Sequence, residues 1–282
     1  MIRIHLGAHK TASTHLQLSL RRHGARLEAS GLVWLDPDDL RHPPLQVGRL
    51  AEAGDAAVAA ALVARAGRCA LLSEENLLGS AHQRGDGADR RLYPRADQRL
   101  ARLLAATGWR GVGLYLGVRD PAGFLASAYT QWLMSGRTGD FAAYLDGADP
   151  AGLAWSELAT RLLAVPGVAG LTVWRYEDYP AVLPRVLARM LPEGLDAGIR
   201  PLPQVVHPGL SAAAHAAVMA ELAAGASPEG LARRLRAAYP KSDGQPGYQP
   251  FDAATRAASA TAYAADLARL ARLPGATVLG AG

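Results

Sequence analysis

Residues 2–17, IRIHLGAHKTASTHLQ, decide how the fold begins and where a ligand would bind. Apolar and polar residues alternate from Ile2 to Leu6, which predicts a short strand, and Gly7 ends it. Leucines at positions 16, 18 and 20 then predict a helix. The loop between strand and helix carries one lysine and three hydroxyls, at Lys10, Thr11, Ser13 and Thr14. Such a loop forms a cradle for phosphate, because its amides and the positive end of the helix dipole point to one place.

Lys10 stands out because the chain has 28 arginines but only two lysines, Lys10 and Lys241. A compact ammonium fits under a phosphate in a narrow cradle, where a planar guanidinium would not. The alternative interpretation is an ordinary strand–turn–helix entry with a solvated lysine. Lys241 lies in a loop rich in Gly and Pro, and we interpret it as solvated.

Composition limits the classes of function that the chain can have. The 282 residues predict one domain, residues 1–282, and half of them are apolar, which is enough for a buried core. The net charge of +5 favours anionic ligands but is too small and too dispersed for nucleic acid. The single Cys69 excludes an intrachain disulfide and a thiolate metal cluster. We expect no signal peptide, no transmembrane segment and a cytoplasmic location, because the first strand begins at residue 2 and apolar runs are short.

The order of the predicted elements indicates an α/β fold of three layers, with a mainly parallel central sheet between helices. We predict that residues 201–282 form a mostly helical extension and that residues 36–44 form a polar loop. The predicted strands are 2–6, 31–35, 69–73, 111–119 and 171–178, and the predicted helices include 13–29, 47–66, 94–107 and 120–136. In such sheets ligands bind beyond the carboxyl ends of the strands. We therefore expect residues 7–14, 73–76, 119–127 and 176–178 to gather at one edge.

The segment VRDPAGFLASAYTQWL, residues 118–133, predicts a second anion site. Arg119 ends an apolar strand, Pro121 opens a helix, and Ser127 lies two turns into that helix. A cation and a hydroxyl that converge there would bind an anion apart from the first cradle. The alternatives are an arginine paired with a surface carboxylate and a serine inside a helix.

Together these segments resemble the sulfotransferases that use 3′-phosphoadenosine 5′-phosphosulfate (PAPS) and release 3′-phosphoadenosine 5′-phosphate (PAP). The order of motifs is similar to a bacterial branch that begins HxGxxKTGTTxLQ and later carries LLSSE, here LLSEE at 71–75. The resemblance covers residues 2–190 and implies a P-loop-like fold. It implies that KTAST binds the 5′-phosphosulfate, that the second segment binds the 3′-phosphate, and that RYEDY places a tyrosine near the adenine. The implied donor-binding residues are Lys10, Thr11, Ala12, Ser13, Thr14, Arg119, Ser127 and Tyr176.

Ala12 departs from the pattern, since the family has glycine at this position of the loop. Glycine serves where φ is positive or where the backbone approaches a ligand closely. We expect ordinary helical φ at Ala12, because the position opens a helix. If donor binding needs a positive φ at this position, we expect alanine to shift the loop and to lower its affinity for the donor.

The resemblance implies an in-line displacement by an acceptor hydroxyl or amine, in which Lys10 stabilises the leaving oxygen and no metal is needed. The sequence does not identify the acceptor, and a carbohydrate, a lipid headgroup, a small metabolite and a peptide are the candidates. An acceptor hydroxyl needs a general base, and the candidates are His42 and Glu74, with Asp36 and Glu75 as weaker ones. Glu74 is equally suited to capping the helical turn that follows it.

Two other functions compete with this one. A nucleoside-triphosphate-dependent kinase or hydrolase would explain Lys10 and Thr11, but His9 replaces the expected glycine and Arg119 then has no role. A protein that keeps the fold and binds a nucleotide without turnover is the other alternative, and only Ala12 favours it.

Overall fold

The computed structural model describes residues 1–83, 91–203 and 209–280, and within them the chain is α/β. The strands are β1 (Ile2–His5), β2 (Val33–Leu35), β3 (Ala70–Ser73), β4 (Val112–Val118), β5 (Val168–Arg175) and β6 (Ala276–Leu279). The helices that precede β4 are α1 (Ser13–Arg21), α2 (Gly24–Ala29), α3 (Pro37–Arg41), α4 (Val47–Ala53), α5 (Ala56–Ala66) and α6 (Ala96–Thr107). Those that follow it are α7 (Pro121–Met134), α8 (Phe141–Leu145), α9 (Trp155–Leu163), α10 (Tyr179–Met190), α11 (Ala212–Ala223), α12 (Leu231–Ala238) and α13 (Ala253–Leu270).

The six strands form one sheet in the order β2-β3-β1-β4-β5-β6, and every pairing is parallel. This confirms the predicted α/β class with a parallel sheet flanked by helices. Ile4 lies at the centre, beside Leu72 of β3 and Leu114 of β4, and all three side chains are buried. Buried aliphatic residues along these strands are what a sheet covered on both faces requires.

The strand order reverses at β1. The chain leaves β1 for β2 and β3 on one side, and after β3 it crosses to β4 on the other side. Loops that follow strands on either side of such a point diverge and leave a crevice beyond their carboxyl ends. The loop after β1, residues 7–14, occupies this position.

The chain divides into two compact units. The first comprises Met1–Arg119, Ala154–Gln204 and Asp266–Gly282, and it contains the whole sheet. An apolar cluster in this unit includes Leu16 and Leu20 of α1, Trp174 of β5, and Val182 and Val186 of α10. Burial of these side chains fixes α1 and α10 to the sheet and so fixes the ends of the loop between β1 and α1.

The second unit comprises Asp120–Leu153 and Val205–Ala265 and contains α7, α8, α11 and α12. Tyr129 of α7 is fully buried there, with ring centroids 5.2 Å from Phe141 and 5.3 Å from Tyr144. Lys241 is exposed in this unit. The single-domain organisation of residues 1–282 stays a prediction.

Four details of the predicted elements are wrong. The predicted helix 13–29 is two helices, α1 and α2, which are interrupted at His23. The predicted helix 47–66 is two helices, because Gly54 adopts a left-handed conformation and Asp55 caps α5. The predicted loop 36–44 contains α3, which Asp36 opens with a capping box. Residues after 272 add β6 to the edge of the sheet rather than continuing a helical extension.

Candidate functional site

The loop of residues 7–14 is held against β4. Leu6 N donates to Tyr115 O at 2.9 Å and Ala8 N donates to Gly117 O at 3.2 Å, so the pairing of β1 with β4 continues into the loop. Gly7 has a φ of +50°, and a Cβ there would lie 2.2 Å from Ser13 Oγ. Only glycine fits this start of the loop.

Two of the predicted donor-binding hydroxyls close the loop on itself. Thr11 Oγ1 donates to Ala8 O at 2.6 Å and Ser13 Oγ donates to the same oxygen at 3.3 Å. Both side chains are buried, whereas Thr14 is half-buried. Thr11 and Ser13 therefore stabilise the shape of the loop.

Lys10 and Ala12 are left-handed, with φ of 66° and 67°. The expectation of ordinary helical φ at Ala12 is wrong. The two left-handed residues alternate with Thr11 and Ser13, whose side chains both bond the Ala8 carbonyl. Left-handed residues that alternate with other conformations turn successive N–H groups toward one side and form a concave anion site. Ala12 is also the N-cap of α1 and has no side-chain cap, so the first amides of α1 add donors at the same place.

Arg119 joins the loop to the end of β5. Its Nη1 donates to Lys10 O at 3.1 Å, and its Cζ lies 4.4 Å from the centroid of the Tyr176 ring. Trp155 Nε1 donates to Arg119 O at 2.7 Å and fixes the backbone there. Three of the predicted site residues, Lys10, Arg119 and Tyr176, thus meet at the carboxyl edge of β1, β4 and β5.

Ser127 belongs to the second unit and is half-buried on α7. Its carbonyl accepts a hydrogen bond from Thr130 Oγ1 at 2.9 Å. Its predicted role as a partner of Arg119 stays a prediction.

Glu74, at the end of β3, is buried and bonded on both oxygens. Arg41 Nε donates to Oε2 at 2.7 Å, Arg41 Nη2 donates to Oε1 at 2.8 Å, and Asn76 N donates to Oε1 at 2.9 Å. The last bond makes Glu74 the N-cap of the 3₁₀ turn Glu75–Leu78, as one of the two interpretations predicted. Burial raises the pKa of Glu74, while the Arg41 hydrogen bond opposes the rise.

The other candidate bases follow strands β2 and β3 in the chain. His42 is exposed, and its Nδ1 lies 2.8 Å from Asp38 O, at the end of α3. Asp36 is buried, caps α3 and pairs with Arg21 at 2.7 Å. Glu75 accepts from Gln17 Nε2 at 3.0 Å; burial would raise the pKa of Glu75, but His9, Gln17 and Arg41 together lower it.

Sequence analysis assigned no role to His9, which the structure places between the loop and the turn after β3. Its Nδ1 lies 3.0 Å from Tyr93 Oη and its Nε2 lies 3.1 Å from Asn76 Oδ1. Burial lowers the pKa of His9, Glu75 and the Asn76 bond oppose this, and the charges of Arg41 and Lys10 add to it. The only signal in the sequence was its place directly before Lys10.

His5 lies below the loop and is fully buried. Its Nδ1 lies 2.7 Å from Ser73 Oγ, and its ring stacks on Trp174 at 5.8 Å between centroids. Burial lowers the pKa of His5 to about 4, against a smaller opposing effect of Glu75, so this ring is neutral at pH 7.

Comparisons of the chain with family models, curated proteins and solved structures find no match. Among residues 1–83, 91–203 and 209–280, no group of three or more His, Cys, Asp or Glu is placed to hold a metal ion. None of the helices described is both long and apolar enough to cross a membrane.

Proposed function

We propose that this chain is a sulfotransferase with a P-loop-like fold that uses PAPS as donor. The acceptor is a hydroxyl or amine of a carbohydrate, a lipid headgroup or a small metabolite, and PAP is released. The observation that carries the proposal is the contact of Arg119 with both Lys10 O and the Tyr176 ring. It joins, in one unit, the three sequence segments on which the resemblance rests.

In this proposal the left-handed loop binds the 5′-phosphosulfate through its amides, and Lys10 adds a full charge beside them. Arg119 binds the 3′-phosphate, and the Tyr176 ring contacts the adenine. The guanidinium over Tyr176 is already oriented, because cation–π contact and the Lys10 carbonyl hold it. Orientation before binding lowers the entropic cost of holding the donor.

The chemical step is an in-line displacement. The acceptor oxygen or nitrogen forms a bond to sulfur as the bond from sulfur to the bridging oxygen breaks. The electron pair of that bond leaves with the bridging oxygen, where Lys10 and the loop amides stabilise the charge. The acceptor proton passes to a general base.

His42 is the better candidate for that base. Asp38 O can only accept, so the 2.8 Å contact assigns the proton of a neutral ring to Nδ1 and leaves Nε2 unprotonated. The Glu74 carboxylate, in contrast, is bonded to Arg41 on both oxygens. To accept a proton, Glu74 would have to give up a hydrogen bond from Arg41. Breaking a buried ion pair costs more free energy than exposing a lone pair on a ring that already faces solvent.

Calorimetric titration with PAP, and with ADP as the comparison, tests the proposal. We expect micromolar binding of PAP and binding of ADP weaker by about tenfold or more, since ADP lacks a 3′-phosphate and so forfeits a charged hydrogen bond. Arg119→Ala should lower the affinity for PAP by about tenfold or more. Arg185→Ala is the matched control, because Arg185 is exposed on α10 and bonds Gly280 O.

Equal or tighter binding of ADP, above all with magnesium, would reject the proposal in favour of a kinase-like function. Failure of the wild-type protein to bind PAP would reject it too. Transfer of labelled sulfate from PAPS to candidate acceptors then separates an enzyme from a binding protein. His42→Ala should abolish that transfer while PAP affinity is unchanged.

A further inference from the structure

Tyr93 contacts the loop from outside through its hydroxyl. His9 N donates to Tyr93 Oη at 3.0 Å, and His9 Nδ1 lies at 3.0 Å from the same oxygen. The two rings stack with centroids 5.8 Å apart and planes 21° apart. Tyr93 is 2% exposed, so these bonds are made away from water, where a lost partner is costly.

Tyr93 is itself firmly held. Arg161 Nη2 donates to Leu92 O at 2.8 Å and Arg161 Nη1 donates to Tyr93 O at 3.1 Å. Arg161 also pairs with Asp97 at 2.9 Å and with Glu157 at 2.6 Å. The Tyr93 backbone is left-handed, with a φ of 50°, a conformation that needs such support in a non-glycine residue.

The hydrogen bonds define the tautomer of a neutral His9 ring. Asn76 Oδ1 only accepts, so His9 Nε2 carries the proton, and Nδ1 of the neutral ring accepts from the Tyr93 hydroxyl. The hydroxyl oxygen accepts in turn from His9 N. A protonated ring would reverse this bond, with Nδ1 donating to the same oxygen, so the hydroxyl contacts His9 in either state.

Lys10 lies between two fixed points. On its amino side Tyr93 holds His9, and on its carboxyl side Arg119 holds Lys10 O. A left-handed non-glycine residue persists only where neighbours determine its conformation on both sides. Both of these supports come from residues distant in sequence.

We propose that Tyr93 is a positioning residue which, through His9, holds Lys10 in the left-handed conformation that the anion cradle requires. Its effect on donor binding rests on the proposed function, but its effect on the loop does not. Tyr93 touches neither the donor nor the acceptor in this scheme. It supports the cradle before any ligand arrives.

Tyr93→Phe tests this, with Tyr179→Phe as the matched control. Tyr179 Oη lies 2.9 Å from His15 Nδ1, so this variant also removes a tyrosine–histidine bond in the same unit, but one that involves no backbone amide of the loop. We expect amide exchange of residues 7–14 to rise by about tenfold in Tyr93→Phe and to stay within twofold in Tyr179→Phe. Affinity for PAP should fall by about fivefold to tenfold in Tyr93→Phe alone.

Nitrogen NMR of His9 gives a readout that general destabilisation would not move. The wild-type neutral ring should show a protonated Nε2 and an unprotonated Nδ1, and the Nδ1 chemical shift should change in Tyr93→Phe because the hydroxyl that bonds Nδ1 is removed. The groups that face His9 are Glu75, Arg41, Lys10 and Asn76, and all remain in the variant.

The outcomes separate the two proposals. Unchanged loop exchange and an unchanged His9 spectrum in Tyr93→Phe overturn the role of Tyr93, whatever binds. If the wild-type protein does not bind PAP but Tyr93→Phe loosens the loop, the sulfotransferase proposal fails and the role of Tyr93 stands. If the wild-type protein binds PAP and Tyr93→Phe binds it with the same affinity, Tyr93 has no role in donor binding.

Discussion

Replacing Ala12 with glycine measures the strain stored in the loop. Ala12 has φ 67° and ψ 19°, a conformation that costs an L-residue about 1–2 kcal/mol. Glycine removes this cost, but it adds about 0.4–1 kcal/mol of conformational freedom to the unfolded chain. It also loses part of the roughly 0.8 kcal/mol that a buried methyl contributes, since Ala12 packs against the apolar cluster of the first unit. The midpoints of these ranges give a net increase of about 0.4 kcal/mol in the free energy of unfolding.

Ala60→Gly provides the comparison, because Ala60 is exposed in the middle of α5. There glycine should lower the free energy of unfolding by about 1 kcal/mol. Urea denaturation of both variants should therefore separate them by about 1–2 kcal/mol, with Ala12→Gly the more stable. If Ala12→Gly is destabilised as much as Ala60→Gly, the residue is not left-handed in solution and the argument for a preformed cradle fails.

Two further predictions concern the surroundings of the loop. Because the folded-state pKa of His5 is about 4 and its ordinary value is 6.5, the unfolded chain binds the extra proton between these pH values. Stability should fall by up to about 3 kcal/mol from pH 6.5 to pH 4, and urea denaturation of His5→Gln should show a flatter profile. Gly117→Ala should destabilise the protein by about 1–3 kcal/mol, because its Cβ would lie 2.8 Å from Thr11 Oγ1. Gly48 lies in helix α4 with open space around it, so Gly48→Ala should instead stabilise the protein by up to about 1 kcal/mol. Thermal unfolding at the same temperature in Gly117→Ala and Gly48→Ala would contradict the packing argument.

Most of the sheet could be predicted because buried parallel strands are short apolar runs between helical segments. β6 was missed because it has only four residues at the sheet edge, of which Leu279 alone is buried. Without a buried face, such a strand has no alternating pattern in the sequence. Its pairing with β5 depends on the rest of the fold.

The meeting of the loops after β1, β3, β4 and β5 could also be predicted, since parallel strands end at the same edge. The conformation of Ala12 could not be predicted, because it accompanies two hydroxyls that both donate to the Ala8 carbonyl. Nor could the pairing of Glu74 with Arg41, which joins residues 33 positions apart. The contact of Tyr93 with His9 could not be predicted for the same reason, since the two residues lie 84 positions apart.

The two sides of the loop differ in charge and chemistry. On the β4 and β5 side, Arg119 and the Tyr176 ring offer a cation and an aromatic face, which suit a nucleotide phosphate and a base. On the β3 side, His42 is exposed, whereas the carboxylates of Glu74 and Glu75 pair with Arg41. An in-line displacement needs its leaving group and its base on opposite sides of the transferred group. In the sulfotransferase that we propose, the donor would therefore lie on the β4 side of Lys10 and the acceptor on the β3 side.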